Sequence, residues 1–285
     1  MIDFRKLVEA GVHFGHQRSR KCPKMDPYIW GIKNDTLLID VSKTAHCLEK
    51  AATFLEDVAA QGKGILWVGT KKPAQDIISS AATNLKMPYV SHRWVGGTLS
   101  NYGQVKKSIT KMLHLEDVVA KSEQYPHYKK KEINVFQKQI ARLQKSVGGI
   151  RGLSWPVGAL VLVDVSKERS ALKEAIAMGV PVVALVDTNA DPSLVDYVIP
   201  ANDDAPRSIK LLINYLAEAA ARGKARAVEM ADQEMELVPL RDDVLALVQE
   251  EDSEMEGAGK SKTARKEERG KVAVKRTKKE GFDKR

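Results

Sequence analysis

Cysteine is scarce in this chain of 285 residues, which holds only Cys22 and Cys47. Two thiols cannot build a disulfide framework or a four-thiolate zinc site, so a reducing compartment is expected. Aromatic residues make up only 6%, and no apolar run approaches the roughly 18 residues that a membrane span needs. The opening MIDFRK lacks the apolar stretch of a secretory signal, and Asp3 and Glu9 argue against a transit peptide. Common enzyme devices are missing too. There is no GxxxxGK[ST] loop and no GxSxG elbow, and Gly62-Lys63-Gly64 precedes a strand without the third glycine of a dinucleotide fingerprint. These absences point to a cytoplasmic, soluble protein with no organised catalytic apparatus.

Positive charge is what the chain has in excess. Lys and Arg total 46 against 37 Asp and Glu, and 43% of residues are hydrophobic, enough for a packed core. The charge is unevenly spread. Residues 1–228 carry 33 basic and 22 acidic side chains, and residues 229–256 carry 11 acids and Arg241 alone among bases. Residues 257–285 carry 12 basic and 4 acidic side chains, with little apolar material, and are expected to be a disordered basic tail behind an acidic segment. A folded part that is itself basic suits a polyanionic partner.

From Thr36 onward short apolar runs alternate with helical patterns. Residues 37–39, 64–69, 89–90, 159–163, 181–186 and 197–199 are strand candidates. Helices are expected at 42–61, after Pro73, at 167–178 and at 205–221. Strands this apolar are buried on both faces, which predicts a parallel sheet in an α/β layer. Residues 103–147 break the alternation. Val105, Ile109, Met112 and Val119 recur at helical spacing, and Ile133, Phe136, Ile140, Leu143 and Val147 step by 3, 4, 3, 4, a heptad seam. With a turn near 122–128 this predicts an antiparallel helical hairpin inserted in one α/β domain made of residues 1–102 and 148–228.

Four stretches could carry chemistry. Residues 11–31 place Arg18, Arg20, Lys21 and Lys24 among His13, Phe14, His16, Tyr28 and Trp30, with Pro23 and Pro27 forbidding a continuous helix. A rigid basic loop bearing flat rings offers charge for phosphates and platforms for unpaired bases. His13 and His16 could instead join Asp187, Asp203 or Asp204 around a metal ion, or be ordinary loop histidines. Gly69-Thr70-Lys71-Lys72 could cradle a phosphate at a helix start, or be a plain turn with two exposed lysines. Residues 91–101 combine Arg93 and Trp94 with paired glycines. The acidic runs at 187–191 and 202–204 sit after late strands, where Asp191 and Asp203 or Asp204 serve as caps if they do not line a crevice.

These residues are also recognisable as a set. Residues 7–17 with Pro23-Lys24-Met25 and Pro27-Tyr28-Ile29 resemble the amino-terminal signature of ribosomal protein S-two of the small subunit. Arg93-Trp94-Val95-Gly96-Gly97-Thr98-Leu99-Ser100-Asn101 is similar to that family's central motif. Residues 181–189 with Asp191-Pro192 and 202–205 are similar to its second signature. Cys22, Val95, Ser100 and Ala190 depart mildly from the usual residues. The resemblance spans about residues 4–225 and implies a flavodoxin-like parallel sheet with a coiled-coil hairpin, placed between the head and body of the small subunit. It implies binding to ribosomal RNA, contacts with neighbouring ribosomal proteins, help in recruiting the mRNA-binding ribosomal protein S-one, and no catalysis. Homo-oligomers and cofactors are not expected beyond a possible structural metal at His13, His16, Asp187 and Asp204. Arg18, Arg20, Lys21, Lys24, Arg93, Lys106, Lys107, Lys111, Lys129, Lys130 and Lys131 are the expected phosphate contacts, with Asn101 beside them and Trp94 as a packing or stacking surface. The alternative from another class is an α/β phosphometabolite-binding protein or enzyme using Gly69–Lys72.

Overall fold

The computed structural model describes residues 2–121 and 128–237, so the expected hairpin turn and basic tail, and all but the start of the acidic segment, lie outside the described residues. The chain divides into a unit of residues 1–229 and a second of 230–285. Two sheets organise the first unit. The larger has five parallel strands: β4 (Gly64–Val68), β5 (Tyr89–Val90), β6 (Val157–Val163), β7 (Val182–Val186) and β8 (Tyr197–Pro200), in the order β5-β4-β6-β7-β8. Counted along the sheet this is 2-1-3-4-5, the flavodoxin-like order, with its switch point between the carboxyl ends of β4 and β6.

Alternation along these strands feeds two cores. Ile65, Trp67, Val161, Val163, Val183 and Leu185 face helices α2 (Val41–Ala60), α3 (Lys72–Leu85) and α7 (Pro206–Leu237), meeting Leu48, Leu55, Ile78, Ile209 and Leu212. Leu66, Val68, Leu160, Leu162, Val182 and Ala184 face the other way, onto α6 (Arg169–Ala177) and the base of the helical hairpin. Both faces are apolar because both are covered, as crossover connections require.

The hairpin consists of α4 (Tyr102–Ala120) and α5 (Lys130–Val147). Val105 and Ile109 at the start of α4 share a cluster with Leu143 and Val147 at the end of α5, so the helices run in opposite directions. The Arg151 guanidinium donates to Glu116 Oε1 at 2.5 Å and to Gln144 Oε1 at 2.7 Å, clamping one helix to the other.

The amino-terminal region differs from expectation. After α1 (Phe4–Glu9), residues 11–31 are not an extended loop. They form β1 (Phe14–Gln17), two short 3-10 turns at Arg18–Arg20 and Pro23–Tyr28, and the start of β2 (Ile29–Lys33). The prolines sit inside the second turn, where a fixed φ is tolerated. The strand expected at 37–39 is β3 (Thr36–Ile39), and it belongs to a separate antiparallel sheet ordered β1-β3-β2, not to the parallel one. Two residues with positive φ, Asn34 and Asp35, make the tight turn joining β2 to β3, so local pairing captures the strand before any crossover can. At the other end, the helix expected at 205–221 continues to Leu237 as α7.

Candidate nucleic-acid interface

Thr188, just past the end of β7, ties the small sheet to the large one. Its Oγ1 accepts from the His16 backbone N–H at 2.9 Å and its carbonyl from that of Cys22 at 2.8 Å. Gly15 makes the approach possible, since a Cβ there would lie 2.6 Å from Thr188 Cγ2. On the other side Asn202, after β8, donates to the Gly11 carbonyl at 3.1 Å. The amino-terminal segment is thereby pinned across the carboxyl ends of the parallel strands.

This pinning assembles a charged cluster. His16 Nδ1 lies 2.9 Å from Asp187 and Nε2 lies 3.3 Å from Asp204. The Lys71 ammonium reaches Asp203 at 2.7 Å, Asp204 at 2.6 Å and Asp164 at 3.5 Å. Two corrections to the sequence reading follow. Lys71 is not an exposed turn lysine, because these carboxylates draw it inward. Asp203 is not a cap: the Asn202 Oδ1 accepts from the backbone of Asp204 and Ala205 at the start of α7, leaving Asp203 to turn into the cluster, where it is fully buried. Asp191, by contrast, does cap the 3-10 turn at Pro192–Leu194, accepting from Ser193 N at 2.9 Å.

His13 does not join the group. It lies in the turn between α1 and β1, before the strand that carries His16, and packs against Phe14 with centroids 4.0 Å apart. His16, Asp187, Asp203 and Asp204 instead offer ligand atoms all within 4.8 Å of one another. Four carboxylates, counting Asp164, face one ammonium and one imidazole. The Asp187 hydrogen bond leads the effects that raise the His16 pKa. Burial, with the negative charge of Asp164 and Asp187, pushes the Asp203 carboxyl up to about 7 against the opposing hydrogen bond of Lys71. Asp203 Oδ2 is buried with no hydrogen-bond partner. One imidazole and three carboxylates, among them the unpartnered Asp203 oxygen, are donor types that divalent cations take, with the Lys71 ammonium already bonded to Asp203 and Asp204.

The possible phosphate cradle at Gly69–Lys72 is closed. The Glu168 carboxylate, 3% exposed, accepts from the Thr70 backbone N–H at 3.1 Å and from its hydroxyl, while Lys167 Nζ donates to the Thr70 carbonyl. The amide and hydroxyl of Thr70 already hold a carboxylate, and an incoming anion would meet its charge.

Glu174, in the middle of α6, organises residues 94–100. Its carboxylate accepts from Trp94 Nε1 and Gly97 N, both at 2.9 Å, from Leu99 N at 3.0 Å and from Ser100 N at 3.3 Å. Gly97, at φ +91°, supplies the conformation that turns these amides inward. Trp94 is only 8% exposed, so of its two expected roles the structure displays packing. Arg93 and Asn101 are exposed on either side.

The expected phosphate contacts divide into two kinds. Lys24 pairs with Asp191 at 2.7 Å and Lys21 with Asp26. Arg18, Arg20, Arg93, Lys106, Lys107, Lys111, Lys129, Lys130 and Lys131 are exposed and form no ion pair among the described residues. Sequence reasoning missed Lys138, Arg142 and Lys145, which are likewise exposed on α5. With Lys131 they step by 7, 4 and 3, a stripe facing away from the apolar seam. That spacing was available in the sequence beside the seam itself.

A charge cluster at the strand ends and an exposed basic hairpin give an α/β scaffold with a cationic surface. A family profile described as Ribosomal protein S2 matches residues 7–223. The chain is 45% identical over 230 residues to the small ribosomal subunit protein uS2 of Geotalea uraniireducens (strain Rf4), covering 80% of this chain and 90% of that one. It is 44% identical over 234 residues to the same-named protein of Koribacter versatilis (strain Ellin345), covering 82% and 76%. The chain belongs to the ribosomal protein S2 family: it is a structural, non-enzymatic protein of the small ribosomal subunit.

Proposed function

We propose that this chain grips small-subunit ribosomal RNA through two cationic surfaces, the amino-terminal segment and the outer faces of the hairpin, and that it helps hold ribosomal protein S-one on the subunit. A position between head and body, beside neighbouring subunit proteins, is part of this reading and follows from the family resemblance. The observation carrying the RNA contact is the set of exposed cations just described, from Arg18 and Arg20 to Lys145, that form no ion pair among the described residues. Phosphate contacts of this kind position a protein without reading sequence. Binding of the full chain to ribosomal RNA should therefore weaken with salt. Replacing Lys106, Lys107 and Lys111 by Gln should shallow the log–log slope by about 2–3, at roughly 0.7–0.9 per contact. A binding constant indifferent to salt would overturn the reading. Subunits reconstituted without the chain should also lose S-one on sedimentation, and retention of S-one would sink that half of the proposal.

We also infer that His16, Asp187, Asp203 and Asp204 hold a structural divalent ion that joins the amino-terminal segment to the strand ends. The cluster's excess of carboxylates and the orphaned Asp203 oxygen support this. Zinc added to chelator-treated protein should raise the melting temperature. Saturation at 100 times the dissociation constant contributes about 2.7 kcal/mol, and His16→Gln should abolish the effect. The inference fails if zinc leaves the transition unmoved or if the variant responds equally.

A further inference from the structure

Of the tryptophans, Trp67 and Trp94 are buried and their indole N–H groups are used, by Met87 Sδ and Glu174 respectively. Trp155 is neither buried nor bonded in this way. It lies in the segment joining the hairpin to β6 and is 45% exposed, although an indole is among the costliest side chains to leave in water. Its ring stacks on Tyr102, with centroids 6.2 Å apart and planes 15° from parallel. Tyr102 is fixed in turn, because its hydroxyl donates to the carbonyl of the buried Leu153 at 2.8 Å. The pair is thus a braced aromatic step. Trp30, the other exposed tryptophan, has no ring beneath it among the described residues.

The surroundings favour a polyanion. No Asp or Glu occurs in residues 97–115 or 148–163, the two segments that supply the rings. Lys106 is one helical turn beyond Tyr102, on the same side of α4, and is exposed. Arg151 already satisfies the nearest hairpin acid, Glu116. A flat apolar face beside a cation in an acid-free setting matches how unpaired bases are held, by stacking on the ring and charge on the phosphate.

We propose that Trp155, stacked on Tyr102, is a platform for an unpaired RNA base at the foot of the hairpin, with Lys106 beside its phosphate. The proposal rests on the reading that RNA is the ligand, and adds a subsite that recognises single-stranded rather than paired nucleotides.

The test uses the full chain, a mixed-sequence single-stranded oligoribonucleotide and a blunt RNA duplex. Trp155→Ala should weaken binding of the single strand about 5- to 150-fold, the range that loss of one base–aromatic stack gives. The salt slope should stay unchanged, because stacking releases no counterions. Duplex affinity should not move, and Trp155→Phe should recover most of the loss. Ultraviolet irradiation of the unmodified protein should join the strand to the peptide containing Trp155, which tests the subsite even if the alanine variant folds poorly. Single-strand affinity within twofold of the original, with the salt slope intact, would overturn the platform while leaving the RNA reading standing. Absence of any salt slope in the unmodified protein would remove the reading beneath it. If the alanine variant keeps its RNA affinity but a neighbouring ribosomal protein is lost from reconstituted subunits, the ring serves a protein contact and the base assignment is wrong.

Discussion

Glu174→Ala should lower the stability of the protein by about 2–4 kcal/mol, measured by urea unfolding, and should shift Trp94 fluorescence toward that of exposed indole. One carboxylate accepts from the Trp94 indole and from the backbone amides of Gly97, Leu99 and Ser100. Truncation leaves those donors without an acceptor, at roughly 1–3 kcal/mol for a fully buried donor and less for each here, because all four bonds are partly open to water. Burial opposes ionisation of Glu174, but the Trp94 bond and the three amides hold its pKa below the ordinary value. Because the folded pKa is the lower one, this contribution is present above the unfolded carboxyl's pKa and is lost as pH falls through the folded value. Glu174→Ala should therefore be most damaging near neutrality and least so in acid. A change under 1 kcal/mol at pH 7 would refute the keystone role.

Phe136→Asp combined with Ile140→Asp should melt the hairpin and abolish incorporation into the small subunit, read by far-ultraviolet circular dichroism and by sedimentation. Both positions lie on the apolar seam of α5 and are half-buried, so a carboxylate there would lose water without gaining a partner. The parallel sheet should survive, because its core draws on α4 through Tyr102, Val105, Ile109 and Met112 in the first three turns of that helix. Normal incorporation of a protein whose hairpin has melted would disprove the hairpin's part in assembly.

The parallel strands were legible in the sequence because residues 65–68, 159–163 and 182–186 are apolar without alternation, a pattern that only double burial explains. The hairpin was legible for the same kind of reason, a seam that no strand could use. The amino-terminal sheet was not. Trp30 and Ile32 leave an apolar face in solvent, which masks the strand signal, and nothing in Leu37–Ile39 says which sheet will take it. Of the charged cluster, His16, Asp187 and Asp204 could be named from their residue types. Asp203 could be named as well, but any polar residue in Asn202-Asp203-Asp204 can cap α7, and only the folded backbone gives that role to Asn202. Lys71 and Glu168 act across pairings of 132 and 98 residues, distances at which a sequence carries no trace of contact. Glu174 was invisible for a similar reason: a glutamate inside a helix looks like solvent-facing charge until a distant loop folds over it.

The Thr70 turn is filled by Glu168, a carboxylate that the chain itself carries. A carboxylate tethered to the chain cannot be diluted away, so a free anion would have to displace it to reach the Thr70 amide.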